Sequence, residues 1–107
     1  MKRIYLFCSA GMSTSMLAGN MQEVADEHKI PVEVKAFSIA KMEEIYEKLH
    51  PDCILLGPQV KFLYSDTKNI YEKRNTPVGV IDAKDYGMMN GEAVLKYAVK
   101  LIKRGIS

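Results

Sequence analysis

One stretch near the start of the chain, residues 3–17 (RIYLFCSAGMSTSML), restricts the fold more than any other segment. Its apolar run, residues 4–7, is typical of a strand that is buried on both faces. Cys8 follows this strand, small residues come next, and the pattern predicts that a helix begins near Thr14. A buried strand joined to a helix by a short loop indicates an α/β fold, with Cys8 at the carboxyl end of the strand.

The position of Cys8 makes it the candidate catalytic residue. The N–H groups in the first turn of a helix lack partners within the helix, and the helix dipole is positive there, so this end binds anions. The same field favours the thiolate over the thiol, and the thiolate is the nucleophile. A nucleophilic sulfur beside an anion site indicates phosphoryl chemistry through Cys8.

The residues that follow Cys8 suit a phosphate-binding loop. Successive N–H groups converge on one anion only where the backbone turns tightly and no side chain blocks the mouth. Gly11 permits such a turn, and hydroxyl groups nearby can donate further hydrogen bonds or cap the helix. The predicted loop consists of Ser9, Ala10, Gly11, Met12, Ser13, Thr14 and Ser15. The alternative interpretation is that Cys8 is a buried structural thiol and the serines are ordinary helix caps.

The length and net charge of the chain limit the number of domains and the kinds of partner that we expect. The 107 residues are enough for one domain with one core, so we expect a single domain over residues 1–107. The net charge is +2, from 15 basic and 13 acidic residues, which does not favour nucleic acid or an anionic membrane as the main partner. No apolar run approaches the ~18 residues of a membrane span, and no signal-peptide pattern opens the chain. We therefore expect no direct insertion into a membrane.

The two cysteines, Cys8 and Cys53, are far apart in sequence. They form no C-x-x-C motif and no zinc-ligand spacing, so no metal and no other cofactor is expected. A chemistry that needs a free thiol fits a reducing compartment, which favours the cytoplasm.

Strand and helix patterns alternate along the chain and predict a parallel sheet with helices on both faces. Residues 52–56 form a second continuous apolar run and a central strand. Residues 32–37 alternate polar and apolar side chains, as an edge strand does. With a short fourth strand at residues 78–81, we expect the spatial order 2-1-3-4. That order places a ligand site outside the carboxyl ends of strands 1 and 3, where the loops begin at Cys8 and Gly57.

The second half of the chain carries further expectations. A helix is predicted with Pro58 in its first turn and with Ile70 on its apolar side, and residues 83–90 are predicted to form a loop or short turn. Asp82 and Tyr86 have two interpretations: groups near the mouth of the site, or an end-of-strand cap and a packing tyrosine.

Four segments resemble the enzyme IIB components of bacterial sugar phosphotransferase systems, in the lactose/cellobiose/chitobiose branch. They are IYLFCSAGMSTSML, DCILLGPQV, PVGVID and YGMMNGEAVLKYAV, in that order, and the likeness covers essentially the whole chain. The resemblance implies that Cys8 takes a phosphoryl group from a phosphohistidine of the IIA protein. It implies that the group then passes to a sugar such as cellobiose, chitobiose or lactose, held by the membrane component IIC, with which the chain associates peripherally.

Both partners must reach Cys8, so we expect the carboxyl end of the sheet to be exposed there. Met12 and Met16 flank the loop, and methionine suits adaptable contact surfaces. Packing beneath the loop is the alternative role for these two side chains.

The loop also resembles, more distantly, the phosphate loop of low-molecular-weight tyrosine phosphatases, which share this topology and follow a C-x5-R-S pattern. Here Thr14 stands at the arginine position and Ser15 at the serine position. Because an arginine would stabilise the charge of a transferring phosphoryl group, its absence favours a carrier with slow hydrolysis. A small phosphatase, a thiol-redox enzyme that pairs Cys8 with Cys53, and a non-catalytic binding module stay open as alternatives.

Overall fold

The computed structural model describes the backbone of residues 1–9 and 11–104, and their side chains except those of Gly11 and Met12. Ala10, one residue of the predicted phosphate-binding loop, lies outside the described residues. The sheet consists of the parallel strands β1 (Lys2–Cys8), β2 (Val32–Ser38), β3 (Cys53–Leu56) and β4 (Val78–Val80). Their spatial order is β2-β1-β3-β4, which confirms the predicted order and the edge position of β2.

Helices connect the strands and cover both faces of the sheet. They are α1 (Gly11–Glu27), α2 (Met42–Leu49), α3 (Tyr64–Tyr71), α4 (Ala83–Gly87) and α5 (Gly91–Arg104), with short 3₁₀ segments at Ile39–Lys41, Pro58–Leu63 and Glu72–Arg74. Within residues 1–9 and 11–104, none of these helices combines the length and the apolar character of a membrane-spanning segment.

The side chains of β1 alternate between two cores, one on each face of the sheet. Ile4 and Leu6 pack in the core that α1 and α5 cover, whereas Tyr5 and Phe7 pack in the core that α2 and α3 cover. This alternation is the two-residue period of an extended strand. All four side chains are fully buried, as expected for a central parallel strand between two helical layers. The structure therefore confirms the predicted three-layer α/β sandwich.

Three local predictions need correction. Helix α1 begins at Gly11 rather than near Thr14, because the small residues after Cys8 are compatible with a first helical turn. The single helix predicted to begin at Pro58 is the 3₁₀ segment Pro58–Leu63 followed by α3, with non-helical dihedrals at Val60. That break shifts the helical stripe, and Ile70 is 47% exposed instead of buried.

The third correction concerns residues 83–90, predicted as a loop or short turn. Residues 83–87 form α4, and Asp82 caps this helix. Its Oδ1 accepts hydrogen bonds from the N–H groups of Lys84 at 2.8 Å and Asp85 at 3.2 Å. Asp82 is therefore the N-cap of α4.

The start of α5 lies directly against the middle of α1. A Cβ added to Gly91 would lie 2.7 Å from the carbonyl carbon of Asn20 and 2.8 Å from the nitrogen of Met21. The side-chain amide of Asn20 donates a hydrogen bond to the Met89 carbonyl oxygen at 3.1 Å. The connection from β4 to α5 is thus held against the helix that follows Cys8.

We predict that Gly91→Ala lowers the free energy of unfolding, because the added methyl group would meet backbone atoms of α1 that cannot rotate away. The expected loss is about 1–3 kcal/mol, the usual range for overpacking, and urea unfolding followed by circular dichroism measures it. Gly19→Ala is the matched control, since a Cβ there meets nothing within 4 Å. This control should gain about 0.5–1 kcal/mol from helix propensity. Equal stability of Gly91→Ala and wild type would contradict the close approach of the two helices.

Candidate active site

Cys8 is the last residue of β1, at the carboxyl end of the sheet. It pairs with Ser38 of the edge strand β2, and β3 lies on the other side of β1. Strand alternation directs its side chain to the same face as Ile4 and Leu6, which is the face that α1 covers. The fold therefore brings the Cys8 sulfur to the end of the sheet from which the 17-residue helix α1 departs.

The thiol of Cys8 is not open to solvent in this structure. Its residue is 0% exposed, and Sγ donates a hydrogen bond to Oε1 of Gln59 at 3.3 Å. This corrects the expectation of an exposed carboxyl end at Cys8. Gly57 and Gln59, in the segment after β3, lie against the thiol.

Gly57 makes this close approach possible. Its N–H donates to the Phe7 carbonyl oxygen at 2.9 Å, which continues the pairing of β1 with β3 by one residue. A Cβ at position 57 would lie 3.0 Å from Sγ of Cys8. Since the Gly57 dihedrals are φ −64° and ψ 154°, which any residue adopts, the site needs glycine for space and not for conformation.

The predicted loop residues divide between solvent and core. Ser9 lies between β1 and α1 and is exposed, while Ser13 and Ser15 are exposed on the first turns of α1. Gly11 and Met12 begin the helix. The N–H groups of a first helical turn have no acceptor inside the helix, so this end of α1 presents donors suited to an anion.

Thr14 differs from its neighbours because its side chain points inward. It is 0% exposed, and its hydroxyl lies 3.1 Å from the hydroxyl of Tyr86, with which it shares a hydrogen bond. Tyr86 is itself 8% exposed. Tyr86 therefore packs against Thr14 of the predicted phosphate-binding loop, and the contact ties α4 to the first turns of α1.

Cys53 lies at the opposite end of the sheet from Cys8. Cys53 pairs with Ile4, and Cys8 is four residues further along β1, which places the two cysteines roughly 13 Å apart at about 3.3 Å per strand residue. A disulfide requires Cα atoms within about 7 Å, and both cysteines are free. The structure thus contradicts a redox mechanism in which Cys53 resolves Cys8.

Burial also makes Cys53 a poor nucleophile. Burial, with a smaller contribution from the charge of Asp52, raises the pKa of the Cys53 thiol to about 12. In the described ranges 1–9 and 11–104, no three or more His, Cys, Asp and Glu side chains are grouped so that they could hold a metal ion.

The predicted strand order brings the loop at residues 57–59 beside Cys8, but it indicates no role for Gln59. The Gly-Pro-Gln run after a buried strand was the available signal. The contact of the Gln59 side chain with the sulfur depends on the pairing of β1 with β3, which local sequence patterns do not reveal.

We predict that Cys53 does not react with a thiol reagent while the protein is folded, because the raised pKa leaves almost no thiolate at pH 8. The variant Cys8→Ser should therefore show no labelling by dithionitrobenzoate in buffer and one labelled thiol in 6 M guanidinium chloride. The matched variant Cys53→Ser reports Cys8 alone. Labelling of native Cys8→Ser on the timescale of a free thiol would contradict the buried position of Cys53.

Comparison with known proteins shows the family of this chain. A family model described as "PTS system, Lactose/Cellobiose specific IIB subunit" matches residues 3–97. The chain is 40% identical over 104 residues to the galactose-specific EIIB component of Lactococcus lactis subsp. cremoris, covering 94% of this chain and 96% of that protein. It is 38% identical over 102 residues to the oligo-beta-mannoside-specific EIIB component of Bacillus subtilis, covering 95% and 97%.

Solved structures show the same relationship. The cellobiose-specific phosphotransferase IIB component protein from Borrelia burgdorferi superposes with a TM-score of 0.79 at 33% identity, covering 99% of this chain and 95% of that chain. The lactose-specific IIB component domain from Streptococcus pneumoniae has a TM-score of 0.80 at 17% identity, covering 94% and 96%, and shares the fold. The chain therefore belongs to the lactose/cellobiose-specific IIB subunits of the phosphotransferase system and is a phosphotransferase component.

Proposed function

We propose that this chain is a phosphoryl carrier in which Cys8 takes a phosphoryl group from a phosphohistidine of IIA and delivers it to a sugar held by IIC. The observation that carries the proposal is the place of Cys8, which ends a central strand immediately before the N-terminus of α1. Such a position pairs a sulfur nucleophile with backbone donors for an anion. The match of residues 3–97 to one IIB family model supports one IIB domain over residues 1–107.

Each of the two proposed transfers forms one bond to phosphorus and breaks another. In the first, the thiol loses its proton, the sulfur attacks phosphorus, the phosphorus–nitrogen bond of the IIA phosphohistidine breaks, and the imidazole takes up a proton. In the second, a sugar hydroxyl oxygen attacks phosphorus and loses its proton, and the phosphorus–sulfur bond breaks. The thiolate leaves and is ready for the next cycle.

The phosphoryl group is proposed to lie against backbone N–H groups of Ser9 through Ser15, with hydroxyl groups of Ser13 and Ser15 within the same turns. The Thr14 hydroxyl, a further candidate donor, is buried and shares a hydrogen bond with Tyr86 in the present arrangement. The position that holds arginine in the phosphatase pattern therefore carries a neutral, inward-facing group. Loss of such a charged donor generally slows phosphoryl transfer to water by about 10³-fold or more, which suits a carrier.

The burial of Cys8 adds a requirement to this mechanism. Because the sulfur is 0% exposed, it cannot meet a partner's phosphorus until the groups around it move. A closed resting site keeps the thiol from other electrophiles between turnovers. We therefore propose that docking of IIA or IIC opens the segment around Cys8.

The family supports a proposal for the sugar and for the cellular setting. Relatives are named for galactose, cellobiose and oligo-beta-mannoside, and we propose a sugar of the cellobiose, chitobiose or lactose type for this chain. Partnership with IIC would place the chain in the cytoplasm, at the membrane surface without insertion into it.

We predict that incubation with IIA carrying radiolabelled phosphate labels the wild-type chain on cysteine and leaves Cys8→Ser at background, because serine lacks a comparably nucleophilic anion. Mass spectrometry of the labelled peptide, kept above neutral pH, locates the phosphoryl group. Cys53→Ser is the matched control and should be labelled like wild type. Label on a histidine, or undiminished label on Cys8→Ser, would contradict the proposal, and rapid release of inorganic phosphate from the wild type would favour a phosphatase.

Three exposed apolar side chains lie on connections that follow strands of the sheet, and we propose them as a docking patch for the partners. The patch consists of Met16 on α1, Phe62 after β3 and Met88 after α4, which are 63%, 77% and 65% exposed. All three lie on connections that leave the carboxyl ends of strands. Exposed large apolar side chains that lie together are typical of interaction sites.

We predict that Phe62→Asp raises the KM for phosphorylated IIA several-fold with little change in kcat, because a charge would be buried in an apolar contact. Ile70→Asp is the matched control, since Ile70 is also exposed but lies in the last turn of α3. Circular dichroism establishes that both variants are folded. An unchanged KM for Phe62→Asp, or an equal rise for Ile70→Asp, would contradict the proposal that this patch binds IIA.

A further inference from the structure

The contact between Gln59 and Cys8 joins an exposed residue to a buried one. Gln59 is exposed to solvent, yet its Oε1 lies 3.3 Å from the sulfur of Cys8, which is 0% exposed. The side chain therefore reaches from the surface to the thiol. Gln59 is therefore a direct hydrogen-bond partner of the Cys8 sulfur.

The backbone around Gln59 holds this side chain in place. Pro58 is at the first position of the 3₁₀ segment Pro58–Leu63, where its fixed φ suits the turn. The N–H of Val60 donates to the Gly57 carbonyl oxygen at 3.0 Å. Gly57 is in turn bound to the end of β1 through the Phe7 carbonyl oxygen, at 2.9 Å. The amide of Gln59 is thus anchored to the same strand that carries Cys8.

The room for this amide is tightly limited. A Cβ at position 57 would lie 3.0 Å from Sγ of Cys8 and 3.1 Å from Oε1 of Gln59. One methyl group would therefore press on both partners of the hydrogen bond. The glycine at position 57 keeps the gap in which sulfur and amide meet.

The chemistry of an amide fits both forms of the sulfur. The oxygen of Gln59 accepts a hydrogen bond from the thiol, and after rotation about its last side-chain bond its NH₂ group can donate to a thiolate or to a phosphoryl oxygen. A carboxylate in the same place could accept from the thiol but would repel a thiolate. Glutamine, unlike glutamate, can therefore form a hydrogen bond with the thiol, the thiolate and the phosphorylated sulfur.

We propose that Gln59 is a positioning residue for Cys8, which covers the thiol in the resting carrier and donates to the sulfur or its phosphoryl group during transfer. The role in transfer rests on the proposed function of Cys8, whereas the covering role does not. In this arrangement Gln59 contacts the sulfur of Cys8 and acts on the transfer through that residue.

The test compares two variants that should move the reactivity of Cys8 in opposite directions. Gln59→Ala removes the cover, so alkylation of Cys8 by iodoacetamide at pH 7.5 should be several-fold faster than in wild type. Gln59→Glu keeps the size and the acceptor but disfavours the thiolate, so alkylation should be slower, by about tenfold. A side chain with a merely structural role would shift both variants in the same direction. Lys61→Ala, an exposed neighbour in the same 3₁₀ segment, should leave the rate unchanged.

Phosphoryl transfer provides the second readout. Both Gln59 variants should lower kcat for phosphorylation by IIA about tenfold or more, while the KM for IIA stays within twofold, because the lost donor acts on the sulfur and not on docking. Gly57→Ala, which crowds the same contact, should speed alkylation as Gln59→Ala does.

The outcomes separate this inference from the proposed function. A wild-type chain that takes no phosphoryl group on Cys8 would overturn the proposed function, and the alkylation rates would still test the cover. Wild-type phosphorylation together with alkylation rates that are equal in wild type, Gln59→Ala and Gln59→Glu would overturn the role of Gln59. A shift of both variants in the same direction would also overturn it.

Discussion

The pairing of β1 with strands on both sides is the constraint on which the site depends. Residues 2–8 are hydrogen-bonded in parallel register to β2 on one side, and residues 4–7 to β3 on the other. Two helical layers bury the side chains on both faces. A strand held in this way cannot slide, because a shift by one residue would exchange the two cores. Cys8 is consequently fixed at the end of the sheet, beside the turn after β3 and immediately ahead of α1.

In the proposed mechanism, the sulfur of Cys8 is both reactive toward its partners and protected from solvent. The helix that follows Cys8 offers backbone donors at its first turn, whereas the segment after β3 covers the thiol with Gly57 and Gln59. A neutral, buried Thr14 occupies the place where a phosphatase has its arginine. In the proposed mechanism, the same features allow transfer between partners and slow the loss of the phosphoryl group to water.

Sequence patterns predicted the architecture well because the strands differ in polarity. The continuous apolar runs of β1 and β3 indicated central strands, and the alternation in β2 indicated an edge, so the strand order followed. Helix boundaries were less predictable. Gly11 to Ser13 fit a loop or a first helical turn equally well, and the break at Val60 left no mark on the apolar spacing of the following helix. The contact of Gln59 with Cys8 and that of Tyr86 with Thr14 each join residues more than 50 positions apart, and only tertiary structure reveals them.

The central claim is that backbone amides at the start of α1 hold the phosphoryl group on the Cys8 sulfur. The most direct test is a comparison of ¹H–¹⁵N correlation spectra of the chain before and after phosphorylation by IIA. The account predicts downfield shifts of several amide protons within residues 9–15, which reverse when the phosphoryl group leaves. Shifts that are absent from these residues and concentrated elsewhere in the chain would contradict it.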